Sequence, residues 1–87
     1  MKLKMLGSET NAATSAASGA AFDGATVVYC INTNGSAQLV TVCNSANVTQ
    51  GSFTLGSNAA QMIVKEPTDK VFAASGDVKL TPVAHHA

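Results

Sequence analysis

There is no tryptophan in this 87-residue chain, only one tyrosine and three phenylalanines, and just 11% of the residues are charged. An average soluble protein carries about 25% charged residues. Five Lys and Arg balance five Asp and Glu, so the formal net charge is zero. A nucleic-acid-binding domain needs a basic face to neutralise phosphates. No such face can be assembled from five scattered cations, and no nucleic-acid partner is expected. Long apolar runs are missing too. No stretch approaches the roughly 20 residues that span a bilayer, so no membrane segment is expected. The amino end, MKLKMLGSET, starts positively but lacks the run of about 7 to 15 apolar residues that a signal peptide requires. Export by that route is not expected.

Residues that carry chemistry are equally sparse. The two histidines, His85 and His86, are adjacent and close to the carboxyl end, where chains fray. A Ser/His/Asp or Cys/His arrangement would therefore depend on a loose tail. Cys30 and Cys43 have no CxxC partner, and a helix-borne histidine pair is absent, so zinc-ligand spacing is lacking. The carboxylates Glu9, Asp23, Glu66, Asp69 and Asp77 are dispersed; Glu66 and Asp69 flank Pro67 in one turn, where Asp commonly bonds its own backbone. GSFTLG, from Gly51 to Gly56, has the outer spacing of a phosphate loop. Ser57 stands where the lysine should be, and the alternation of Phe53 and Leu55 reads as a strand between turns. The Asn47, Val48, Thr49 sequon has no consequence without export. No catalytic residue, cofactor-binding residue or metal ligand is assigned, and the chain is expected not to be an enzyme.

What the sequence does contain is β structure. The hydrophobic fraction is 46%, but 15 of those residues are Ala, leaving a thin core for one domain over residues 1–87, with 84–87 as a flexible tail. Helical apolar spacing is found nowhere. Period-two alternation recurs at Leu3 and Met5, at Val27, Tyr29 and Ile31, at Val40 and Val42, and at Phe53 and Leu55. Further strands are expected at 60 to 65, 70 to 74 and 78 to 83. The small-residue tract between Gly7 and Gly24 is assigned to an edge strand or loop. Asn34 and Gly35 sit between two β-rich runs as the residues of a type I′ turn. The spacing thus predicts a hairpin pairing 26 to 33 with 36 to 43. Val27, Tyr29, Ile31, Val40 and Val42 would face the core, and Val28, Cys30 and Leu39 would form an apolar outer face suited to self-association. In that register Cys43 lies about 13 Å from Cys30 along the strands, too far for a disulfide, so two free thiols are expected. The fold expected is all-β, a small antiparallel sandwich or barrel of about six to seven strands. Its core would be Leu3, Met5, Val27, Tyr29, Ile31, Val42, Phe53, Leu55, Met62, Val64, Val78 and Leu80.

The opening MKLKMLG and the closing KEPTDKVFAASGDVKLTPVA, Lys65 to Ala84, resemble small proteins encoded by tailed bacteriophages, especially marine and cyanobacterial phages. The middle of the chain matches only in its style of alternation. The resemblance implies a non-enzymatic virion protein, made in the host cytoplasm and present in many copies. Capsid decoration is the leading expectation, with major capsid or tail proteins as partners and homo-oligomers expected. A tail or fibre accessory, or a module that binds a host-surface ligand, is the alternative. No cofactor is implied.

Overall fold

Strands form where the β-branched and alternating runs lie, and they end at the turn residues. The computed structural model describes the backbone of residues 2–86 and the side-chain surroundings of residues 4–84. Eight strands run β1 (Lys2–Met5), β2 (Thr10–Asn11), β3 (Val27–Asn32), β4 (Gln38–Cys43), β5 (Thr49–Leu55), β6 (Ala60–Val64), β7 (Lys70–Ala73) and β8 (Val78–His86). The only helical pieces among the described residues are turns of three residues. One sheet has the order β1-β8-β3-β6, with β2 also paired to β8; the other is β5-β4-β7. Every pairing is antiparallel. The fold is the expected all-β architecture of two sheets, with the two-residue β2 taking the strand number past the expected range.

The hairpin expected around Asn34 and Gly35 does not form. β3 pairs with β8 and β6, whereas β4 pairs with β5 and β7, so the Asn34-Gly35 segment crosses between sheets. A type I′ turn needs positive φ at both central residues, and neither Asn34 nor Gly35 has it. Asn34 instead folds its side chain back, its Oδ1 accepting from the Ser36 N–H at 2.8 Å, and its Nδ2 donates to Asp77 Oδ2 at 2.9 Å. The tight hairpin lies one strand later. Asn44 Oδ1 accepts from the Ala46 and Val48 N–H groups, Asn47 supplies the left-handed residue, and β4 turns into β5.

The corner inverts the expected inward face of β3. Val28 and Cys30 are fully buried, with Asn32 in phase with them, while Val27, Tyr29 and Ile31 are only half-buried on the outer face. The core between the sheets is Val28, Cys30, Ile63, Val78 and Leu80 against Val40, Leu55, Val71 and Ala73, with Ala12. Of the expected core, Leu55, Val78 and Leu80 are buried. Val42, Phe53 and Met62 are half-buried, and Met5 (58%) and Val64 (80%) are exposed. The side chain of Leu3 lies outside the described residues. β3 is apolar on both faces, so its alternation alone could not choose between them.

One side of the sandwich is sealed by the small-residue tract. β7 spends one row of main-chain groups on β4; its other row bonds the tract, with Val71 and Ala20 exchanging N–H···O bonds and the Ala73 N–H donating to Ala13 O. Small residues allow this close approach: a side chain at Gly19 would meet Lys70 Cβ at 3.1 Å. On the same side, β1 and β2 form one interrupted edge along β8. The break falls at Pro82, whose carbonyl accepts from the Leu6 N–H at 2.9 Å but which has no N–H to give back. The carboxyl end is not a loose tail as far as it is described: β8 continues to His86, paired with β1. Ala87 lies outside the described residues.

Candidate functional site

The opposite side of the sandwich, where β5 and β6 are the edges of their two sheets, has no such seal. A groove of about 550 Å3 runs between them. Gln50, Gly51, Ser52 and Phe53 line one bank and Gln61, Met62, Ile63 and Val64 the other, with Val42 and Asp69 completing it. Four consecutive residues on each bank mean that the main-chain edges themselves border the groove. Their unpaired groups follow from register. The Lys65 N–H donates to Thr26 O and the Asn32 N–H to Ala59 O, so the bonded β3–β6 pairs fall at odd positions of β6. The N–H and C=O groups of Ala60, Met62 and Val64 therefore point outward. The same accounting on β4, starting from the Ala74 N–H to Leu39 O bond, leaves those of Ser52 and Thr54 outward on β5. Neither edge carries a charged residue or a proline, the usual protections of an edge strand.

Adjoining β6 is an apolar row on the outer face of the larger sheet. Met5 is opposite Val83, Val83 opposite Val27 and Val27 opposite Val64, so four apolar residues cross the whole sheet. Tyr29 and Met62 form the next row, with Thr81.

The residues weighed for chemistry are dispersed in the structure. Cys30 lies in the core of one sheet and Cys43 is buried on the other, both free. Their strands belong to different sheets and share no hairpin. Burial pushes the Cys30 thiol up to about 11, the opposite of an activated nucleophile. Glu66 and Asp69 close a turn, the Glu66 N–H donating to Asp69 Oδ2 and the Asp69 N–H to Glu66 O. Gly51 to Leu55 belongs to β5. Among the described residues, no three His, Cys, Asp or Glu side chains are grouped to hold a metal. Sequence reasoning passed over Lys65, which is buried. Its Nζ donates to Ala21 O at 2.9 Å and Glu66 O at 3.3 Å, tying the tract to the β6–β7 turn. Burial lowers its pKa, and Asp69 pulls the other way. A second cleft, between Leu6 to Ser8 and Phe22 to Ala25, sits over Pro82 beside three consecutive positive-φ residues, Phe22, Asp23 and Gly24. It contains one carboxylate, Asp23, and no other charged side chain.

No helix among the described residues is long and apolar enough to cross a membrane. Comparison with known proteins finds no matching family model, no matching curated protein and no matching solved structure.

Proposed function

We propose that the chain is a non-enzymatic structural protein of a phage virion, a decoration protein that docks on the assembled capsid. The observation that carries the docking reading is the apolar row Met5, Val83, Val27 and Val64, in which Val83 is buried and Val27 half-buried while the two ends, Met5 and Val64, are 58% and 80% exposed. The virion setting comes from the resemblance of the two chain ends. An apolar sheet face on a charge-poor protein gains about 25 cal/mol per Å2 when covered. If the covering surface exists only on the assembled shell, binding stabilises that state over free subunits by mass action. Sedimentation of the purified protein with intact particles tests this, with Met5→Glu expected to weaken co-sedimentation. Mass spectrometry of purified virions should find tens of copies or more per particle. Absence from virions, or binding indifferent to Met5→Glu, would overturn the reading. Labelled particles separate head from tail attachment. A host-ligand module is the second reading, favoured by the groove of about 550 Å3, a size common for small-ligand sites; a glycan array tests it.

A further inference from the structure

We infer that the β6 edge pairs with the β6 edge of a second copy of this chain, about a twofold axis through Met62. The inference rests on the register of β6 and not on the virion reading. The outward main-chain groups of β6 belong to Ala60, Met62 and Val64, which are spaced evenly about Met62. Antiparallel pairing about that residue sets Met62 opposite the partner's Met62, and Ala60 opposite the partner's Val64. All three crossings are then of the type in which two residues exchange both N–H···O bonds, so three pairs satisfy every outward donor and acceptor on the strand. The arrangement is self-complementary, as a twofold interface requires.

The side chains agree with the main chain. Ala60, Met62 and Val64 project from one face and are all uncharged, so nothing repels across the axis, and the partner's Ala60 leaves room for Val64. Gln61 and Ile63 project toward the groove, where they come beside their counterparts and close its open side. The larger sheets join into one, and the row that ends at Val64 is extended by the Ala60 and Ile31 positions of the second copy. The chain spends its own small-residue tract on the outward groups of β7 and, among the described residues, nothing comparable on β6.

The area sets the strength. Five residues at about 3.3 Å each make an edge about 17 Å long, and two layers about 10 Å apart with their side chains make it about 20 Å deep. With surface relief this is roughly 500 Å2 of accessible surface per copy, or about 1,000 Å2 in total, the lower limit for a specific interface. The dimer is therefore weak, with a Kd in the micromolar range.

Analytical ultracentrifugation of the full chain from micromolar to about 1 mM should show a reversible monomer–dimer equilibrium. Met62→Lys places two like charges opposite each other at the axis and should weaken dimerisation about tenfold or more. Met62→Glu should do the same, and an equimolar mixture of the two variants should dimerise again, because the axis sets residue 62 against itself. Circular dichroism verifies folding, and Val64→Lys repeats the charge test at a position 80% exposed. A chain that stays monomeric throughout would overturn the inference. So would a dimer indifferent to Met62→Lys and Val64→Lys, or folded Lys and Glu variants that fail to restore each other.

Discussion

Asn32→Ala should be among the most damaging single truncations in the molecule, although it removes no apolar surface. Asn32 is fully buried at the end of β3, where the chain leaves one sheet for the other. Its Nδ2 donates to Leu55 O at 2.9 Å and to Ser36 O at 3.0 Å, and its Oδ1 accepts from the Asn34 N–H at 2.9 Å. One side chain thereby ties β3 to the end of β5 and to the crossing segment. Three net hydrogen bonds at about 1 kcal/mol each, with a further penalty of about 1 kcal/mol for the buried groups left without partners, give roughly 3 to 4 kcal/mol. A domain of this size holds about 4 to 13 kcal/mol in all. Urea unfolding followed by far-UV circular dichroism should show the midpoint falling by about 2 to 3 M at an unchanged slope of about 1 to 1.5 kcal/mol per M. Asn32→Asp retains the acceptor and turns a carboxylate toward two carbonyls. It should be more destabilising at neutral pH than at pH 4, where protonation returns one donor. A midpoint shift below about 0.5 M for Asn32→Ala would refute the role of this side chain in holding the corner.

Four further outcomes are expected. The Cys30 thiol is held up at about 11 against an ordinary 9.0, so the unfolded chain loses this proton first. The associated stability is intact below pH 9 and is lost as pH rises through about 11, by up to about 3 kcal/mol, and Cys30→Ala should remove that part of the alkaline decline in a pH series of urea melts. Lys65 acts in the opposite sense: its lowered pKa makes stability rise as pH climbs toward its unfolded value of 10.5, so Lys65→Met should steepen the alkaline loss. Leu39→Lys, at a position 46% exposed on the smaller sheet, should change stability by no more than about 0.5 kcal/mol and leave the dimer intact in sedimentation. Gly19→Val should cost about 1 to 2 kcal/mol by pushing the tract off Lys70, and hydrogen exchange should speed up at the Val71 and Ala73 amides while the core amides of β3 keep their protection.

The uncharged edges TQGSFTL and AQMIV were legible in the chain from the start, but a strand announces itself as an edge only once its neighbours are known. The apolar row on the outer face was hidden for the same reason. Val27 and Val64 both look like core residues until register places them side by side on the far surface.

By itself the sequence determined the all-β class, the positions of the longer strands and the side-chain-bonded turn at Glu66 to Asp69. Those properties rest on period-two alternation, turn residues and composition, which act over a few neighbours. Only the tertiary structure decided which strands pair and which face of β3 turns inward. Val27 to Ile31 is apolar at every position, so either face would serve, and Asn34-Gly35 fits a hairpin or a corner equally well. The choice went to partners about 30 to 50 residues away, since β6 and β8 bury Val28 and Cys30 and let Asn32 bond across the corner. Burial and hydrogen bonding between distant segments outweighed the local turn preference.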